Sequence, residues 1–142
     1  MKSIYKQTFY PSNKGKFEKD FLEAADQDSK VERIIKIEHY RHLFACLYYI
    51  RQDGMLAPYY PDFMLKIGDE IFVVETKGKE SGTLDWIKRI NELKPDDRMN
   101  TEWSYVLLTD SDFYRHKKQN ANIKEILDIC KLTRNISEGV LF

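Results

Sequence analysis

The fold is decided by the stretch FMLKIGDEIFVV, residues 63–74. Two runs of alternating apolar residues flank Gly68-Asp69, a pair typical of a two-residue hairpin turn. With the turn at that pair, Phe63 lies opposite Val74 and every second residue points to the same face. The sequence therefore predicts an antiparallel hairpin whose apolar face belongs to the core.

Three ionisable residues lie at the open end of this hairpin. In the register set by the turn, Asp62 falls directly opposite Glu75, and residues paired in this way have Cβ atoms about 4.5–5.5 Å apart. Lys77 points to the same face as Glu75, because side chains alternate along a strand. A turn one residue later, at Asp69-Glu70, would place Asp62 opposite Lys77 and still leave all three residues on one face.

Two opposed carboxylates suggest a metal ion, since like charges directly across a sheet are destabilising. Mg²⁺ takes oxygen ligands, commonly one or two carboxylates together with waters and a substrate phosphate. We therefore predict a Mg²⁺ site formed by Asp62, Glu75 and the backbone carbonyl of Thr76, at which Mn²⁺ is expected to substitute. The alternative is that Glu75 and Lys77 are ordinary solvent-side strand residues and Asp62 a turn residue after proline.

The same residues resemble a known nuclease motif. Pro61-Asp62 followed by Glu75-Thr76-Lys77 is similar to the motif of the PD-(D/E)xK nuclease superfamily. The longer strings YYPDF (59–63) and VVETKG (73–78) resemble one branch, the C-terminal endonuclease domain of type III restriction enzyme Res subunits. The similarity extends from about residue 9 to residue 134. One departure is the stretch 79–85, which is shorter than the basic helical insertion typical of that family.

The resemblance implies a restriction-endonuclease-like fold and Mg²⁺-dependent hydrolysis of DNA phosphodiester bonds. It implies that Asp62 and Glu75 are catalytic metal ligands and that Lys77 orients or deprotonates the attacking water. Glu18, on the first helix, would be a fourth catalytic residue that completes the metal shell. The alternative for Glu18 is an ordinary exposed helical glutamate, and Glu23 on the same helix is the fallback candidate.

The resemblance also implies partners. In type III systems such a domain is carried by an ATP-dependent, helicase-like translocase, in the same polypeptide or complex, and a modification methyltransferase subunit recognises the DNA sequence. The charge balance agrees with a need for partners, since 23 basic residues offset 23 acidic ones. Autonomous DNA-binding domains usually carry a basic excess. Lys79, Lys88 and Arg89 are the weak candidates for local DNA contacts.

Length and composition predict a single domain over residues 1–142, with a lead-in at 1–12 and an irregular tail at about 135–142. A chain with 42% hydrophobic residues can bury a core of this size without disulfides. Cys46 and Cys130 are far apart and lack zinc-ligand spacing, which favours buried free thiols. The chain shows no apolar run of membrane-spanning length and no apolar leader, so we expect a cytoplasmic protein without membrane contact.

Apolar periodicity predicts the remaining elements. Helices are expected at 16–27, 83–94 and 123–130, and strands at 34–37, 43–50 and 103–108. This order predicts an α/β protein with a central mixed sheet, the catalytic hairpin within it, and helices on both sides.

Three classes of function are compatible with these features. The first is a Mg²⁺-dependent DNA endonuclease of a type III restriction system. The second is a nuclease of the same superfamily in DNA repair or a mobile element. The third is a non-catalytic DNA-binding or interaction module that retains the fold. The complete set of Asp62, Glu75 and Lys77 argues against the third class, whereas the zero net charge argues for it.

Overall fold

The structure is a computed structural model that describes residues 15–37, 47–50, 53–76 and 83–132. Its helices are α1 (Gly15–Gln27), α2 (Thr83–Asn91), α3 (Asp110–Lys118) and α4 (Ile123–Ile129), with a 3₁₀ turn at Pro95–Arg98. Its strands are β1 (Arg33–Lys36), β2 (Leu47–Ile50), β3 (Leu56–Tyr59), β4 (Phe63–Ile67), β5 (Glu70–Glu75), β6 (Glu102–Leu107) and β7 (Lys131–Leu132).

The main sheet has five strands in the order β1-β4-β5-β6-β7. Strands β5 and β6 run parallel, and the other neighbours run antiparallel. A parallel pair needs a crossover connection, which here contains α2. Strands β2 and β3 form a separate antiparallel pair. The prediction of a mixed sheet is confirmed.

The β4–β5 hairpin has the register that the sequence predicts. Phe63 pairs with Val74 and Ile67 with Glu70, which leaves Gly68-Asp69 as the turn. Gly68 has φ +58°, a left-handed conformation that glycine adopts without steric strain. The alternative turn at Asp69-Glu70 is therefore wrong.

Helices cover both faces of the sheet, as expected. One face of the hairpin contributes Phe63, Leu65, Phe72 and Val74 to a buried cluster. Helices α1, α3 and α4 complete this cluster with Phe21, Ala25, Phe113, Ile123, Ile126 and Leu127. On the opposite face, Val73 and Tyr105 pack with Leu84 and Ile87 of α2. Among the helices of the described residues, none is long and apolar enough to cross a membrane.

Several element boundaries differ from the predictions. Helix α2 ends at Asn91 rather than at residue 94, and the Pro95–Arg98 turn follows it. Strand β1 begins and ends one residue earlier than predicted. Of the strand predicted at 43–50, residues 43–46 lie outside the described part and 47–50 form β2.

Helix α3 and strand β3 were not predicted. Helix α3 is polar and has one buried residue, Phe113, so it lacks an apolar stripe. Its local signal is the N-cap, since the Thr109 hydroxyl accepts a hydrogen bond from the backbone N–H of Asp112 at 3.2 Å. Strand β3 contains Pro58, which lowers strand propensity.

Two side-chain contacts fasten α1 to the C-terminal helices. The Tyr114 hydroxyl donates to Asp20 Oδ2 at 2.6 Å, and Asp28 Oδ2 accepts from the backbone N–H of Ile123 at 2.9 Å. The bond to Asp20, together with burial and the nearby negative charge, raises the pKa of Tyr114 to about 12. The phenol therefore remains a hydrogen-bond donor at any physiological pH. These contacts fix the helix that carries Glu18.

Four charged side chains form a closed ring of ion pairs between α4, β5 and β7. Lys124 Nζ lies 3.3 Å from Glu70 Oε1 and 2.7 Å from Asp128 Oδ2. Lys131 Nζ lies 3.3 Å from Glu70 Oε2 and 3.4 Å from Asp128 Oδ1. Burial raises the pKa of Asp128, but its hydrogen bond with Lys124 and the charges of both lysines outweigh burial and leave that pKa below its ordinary value.

Replacing the turn glycine should destabilise the hairpin that carries the candidate site. In Gly68→Ala the Cβ meets no atom of the described residues within 4 Å, so the cost comes from the positive φ. We expect a loss of about 1–2 kcal/mol in the free energy of unfolding, measured by urea denaturation. Gly68→Asn should lose less, because asparagine tolerates this conformation better. Equal stability of Gly68→Ala and wild type would contradict the assigned turn.

The ion-pair ring should contribute to stability in a pH-dependent way. Because the pKa of Asp128 is lowered in the folded state, its contribution is present above the ordinary pKa of 3.8 and is lost as pH falls through the lowered value. Asp128→Asn should lose about 0.5 kcal/mol at pH 7, a value limited by solvent screening. Chemical denaturation should show this loss disappearing as pH falls below the ordinary value and through the lowered pKa of Asp128. Glu23→Gln, which breaks an isolated exposed pair with Lys19, is the control.

Candidate metal centre

Asp62 is held where three strands meet. It directly precedes β4, its backbone N–H donates to the Val74 carbonyl at 3.1 Å, and its own carbonyl accepts from the Ile37 N–H at 2.8 Å. These two bonds tie Asp62 to β5 and to the end of β1. The residue is half-buried. Its backbone position is therefore determined by both neighbouring strands.

The Asp62 carboxylate is oriented by Thr76. Oδ2 accepts the Thr76 backbone N–H at 2.8 Å and the Thr76 hydroxyl at 2.6 Å. Hydrogen bonds to an ionised acceptor are shorter and stronger than neutral ones. The predicted inward-pointing Thr76 side chain is half-buried and bonds to the aspartate. Thr76 thus orients the Asp62 carboxylate through its N–H and hydroxyl. This contact is separate from the predicted role of its backbone carbonyl as a metal ligand.

Glu75 is the last residue of β5 and is buried, with 4% of its surface exposed. Its backbone carbonyl accepts from the Leu108 N–H at 2.9 Å, which anchors it to the strand end of β6. The last hairpin pair is Phe63 with Val74, so Asp62 and Glu75 are the next residues on the two strands. The structure places both predicted carboxylates at the same end of the hairpin.

Glu18 is buried on α1 and paired with a lysine. It is 5% exposed, and its Oε2 lies 3.6 Å from Lys36 Nζ. Within the described residues, Oε2 has no hydrogen-bond partner. Because Glu18 is buried, the interpretation of it as an ordinary exposed helical glutamate is wrong. The fallback residue Glu23 has an exposed side chain, and its carboxylate lies 3.9 Å from Lys19 Nζ. Such a position is typical of a solvated surface glutamate.

The predicted lysines are only partly within the described structure. Lys77 and Lys79 lie outside the described residues. Lys88 and Arg89 are exposed in the last turn of α2. Their exposure is compatible with contact to a polyanion, and it is equally typical of solvated surface charge.

Asp62 and Glu75 are the two carboxylates that the proposed site offers to a hard divalent cation. Across residues 15–37, 47–50, 53–76 and 83–132, no three His, Cys, Asp or Glu side chains gather closely enough to hold a metal ion. Glu18 thus remains with Lys36 and does not complete a cluster with Asp62 and Glu75. Two carboxylates suffice for Mg²⁺ when waters or phosphate oxygens supply the remaining ligands.

Comparison with known proteins adds no family assignment. The sequence matches no protein-family model, no curated protein and no solved structure. The likeness of Pro61-Asp62 and Glu75-Thr76-Lys77 to the PD-(D/E)xK motif therefore stays a prediction.

Lys36 was not predicted as the partner of Glu18. It lies in β1 opposite Phe63 of β4, and its side chain is 12% exposed. The available signal was its setting, since Lys36 stands between Ile35 and Ile37 in a run that otherwise reads as a buried strand. A lysine at such a position is rarely buried unless it has a charge partner.

Removing the Thr76 hydroxyl should loosen Asp62. Thr76→Val keeps the shape and the backbone N–H but deletes one of the two bonds to Oδ2. We expect the free energy of unfolding to fall by about 1.5–3 kcal/mol, the range for bonds to charged groups. Thr76→Ser retains the hydroxyl and should stay closer to wild type. Thermal and urea denaturation measure both; indistinguishable variants would show that the hydroxyl does not hold the carboxylate.

Proposed function

We propose that this chain is a Mg²⁺-dependent endonuclease domain that hydrolyses DNA phosphodiester bonds, as the cleavage module of a type III restriction system. One observation carries the proposal. Asp62, whose carboxylate accepts two hydrogen bonds from Thr76, and the buried Glu75 lie at the same end of a hairpin. These are the residues that the motif resemblance marks as metal ligands, and the restriction-endonuclease-like core is part of the same proposal.

The motif resemblance suggests the roles of the residues. Asp62 and Glu75 would hold the metal, with the Thr76 carbonyl as a third donor. Glu18, which the resemblance marks as a fourth, is paired with Lys36 in this structure. When bound, Mg²⁺ supplies a coordinated water of lowered pKa and stabilises negative charge on the phosphate. Thr76 keeps the Asp62 carboxylate oriented. Because Glu75 is buried, few water molecules compete with the metal for its carboxylate. Lys77 would orient or deprotonate the attacking water.

The zero net charge of the chain supports the proposal that a partner holds the DNA. With equal numbers of basic and acidic residues, the domain lacks the overall positive charge that attracts a polyanion. An ATP-dependent, helicase-like translocase would supply the grip and a modification methyltransferase subunit the sequence recognition. Lys79, Lys88 and Arg89 would add local phosphate contacts. A cytoplasmic location belongs to this proposal.

A non-catalytic DNA-binding or interaction module is the second candidate. The observation that favours it is the ion pair between Glu18 and Lys36, which leaves the described carboxylates without a third member. A nuclease of DNA repair or of a mobile element would use the same chemistry as the leading proposal and differs from it in partners.

A plasmid-nicking assay with Mg²⁺ or Mn²⁺ tests the chemistry. Asp62→Asn and Glu75→Gln remove charge with little change of shape, and Lys77→Ala removes the amine. Each should reduce nicking by about two orders of magnitude or more, because each removes a group that acts on the transition state. Asp69→Asn, an exposed carboxylate at the other end of the same hairpin, is the matched control and should nick like wild type.

The outcomes separate the candidates. Equal nicking by wild type and Asp62→Asn would assign the activity to a contaminant and contradict the proposal. If the wild type binds metal but does not cleave DNA in the presence of the translocase partner, that result would favour the non-catalytic module.

A further inference from the structure

Two charged segments flank the turn end of the hairpin, on opposite faces of the sheet. The first is the loop at residues 92–101, which follows α2. It is joined to the turn because the Glu102 N–H donates to the Asp69 carbonyl at 2.8 Å. The second is the last turn of α3, on the other face. The helix that follows it, α4, contacts the same end of the hairpin, where Lys124 Nζ lies 3.3 Å from Glu70 Oε1.

The loop is acidic and exposes apolar side chains. Met99 is 83% exposed and Leu93 is 47% exposed. Between residues 92 and 97 the exposed charged side chains are three acids and one base: Glu92, Asp96, Asp97 and Lys94. The loop therefore presents apolar groups bordered by negative charge.

Hydrogen bonds hold the backbone of this loop in an unfavourable conformation. Met99 and Asn100 have φ +53° and +56°, the left-handed region, which is sterically disfavoured for residues other than glycine. The Asn100 N–H donates to the Pro95 carbonyl at 2.7 Å, and Arg98 Nε donates to the Leu93 carbonyl at 3.1 Å. The fold thus fixes the strained segment that exposes Met99.

The last turn of α3 is basic. Arg115 in this turn is paired with Asp112 at 2.8 Å, whereas Lys117 and Lys118 are exposed. Basic residues favour the C-terminus of a helix, but the helix dipole does not account for an acidic loop on the opposite face. The chain has no net charge, yet at this end its charges are separated by the sheet.

We propose that the turn end of the hairpin is a self-complementary surface at which two copies of this chain form a symmetric dimer. A two-fold axis in the plane of the sheet and across its strands exchanges the two faces, so the acidic loop of each copy meets the basic turn of the other. Met99 packs against the second copy. The zero net charge favours self-association, and the acidic loop repels nucleic acid.

This dimer does not depend on the proposed metal site. Strand β5 runs from Glu70 at the turn end to Glu75 at the other end. Five residues of strand separate the two ends by about 16 Å. Dimerisation therefore leaves the candidate metal site open.

Sedimentation equilibrium over a wide range of protein concentration tests the proposal. The mass of wild type should rise from the 16.9 kDa of one chain toward twice that value. Added salt should shift the transition to higher concentration, because the charges that meet are exposed and screened.

Charge reversal tests which segments meet. The acid-reversed variant carries Asp96→Lys and Asp97→Lys, and the base-reversed variant carries Lys117→Glu and Lys118→Glu. Each variant alone should dimerise about tenfold more weakly or worse, because like charges then face each other. An equimolar mixture of the two variants should recover the wild-type affinity, since every contact again joins opposite charges.

Two further variants separate the interface from the fold. Met99→Gly removes the exposed side chain and relieves the left-handed strain, so it should fold normally but dimerise about tenfold more weakly. The control for charge is Asp53→Lys with Asp110→Lys, at exposed positions outside both segments, and it should dimerise like wild type. Circular dichroism checks the fold of each variant.

Each result supports or overturns the dimer. A wild type that stays at the mass of one chain would overturn it and leave this end to a different protein or to nucleic acid. Dimers that persist unchanged in the acid-reversed variant or in Met99→Gly would place the interface elsewhere. If the two reversed variants do not associate when mixed, the loop and the last turn of α3 do not meet.

Discussion

The pairing of β4 with β5 is the constraint on which the rest of the site depends. Side chains alternate along a strand, so a slip of one residue would exchange the buried and outward faces of the hairpin. The left-handed Gly68 turn and the apolar residues on either side prevent that slip together. Because the register is fixed at the turn, the position of Asp62 relative to Glu75 is fixed at the open end.

The open end needs further support, which Thr76 and the neighbouring strands provide. The ladder stops at Phe63 and Val74, and beyond it the strands have fewer shared backbone bonds. The Thr76 bonds to Asp62 continue the connection through a side chain. On the other side of β4, the bond from the Ile37 N–H to the Asp62 carbonyl holds the end of β1 against the Asp62 backbone. Lys36 pairs with Phe63 and therefore points, with its partner Glu18, to the face of the sheet opposite to the one on which Val73 and Glu75 alternate.

The sequence allowed the hairpin, its turn and its register to be predicted because these depend on local rules: glycine at a left-handed position and alternation of apolar residues. The helices with apolar stripes were predicted for the same reason. Helix α3 was missed because a cap and one buried phenylalanine define it, and periodicity does not report either feature. The partners of Glu18 and Thr76 could not be predicted, since both contacts depend on how distant segments meet. Lys77 and Lys79 lie outside the described residues, so their proposed roles stay predictions.

The measurement that tests the central claim most directly is a crystal structure of the protein soaked in Mn²⁺, with data collected for the anomalous signal of manganese. The account predicts one strong anomalous peak about 2.0–2.3 Å from carboxylate oxygens of both Asp62 and Glu75. A peak elsewhere, or carboxylates of Asp62 and Glu75 that point away from each other with no bound ion, would contradict it.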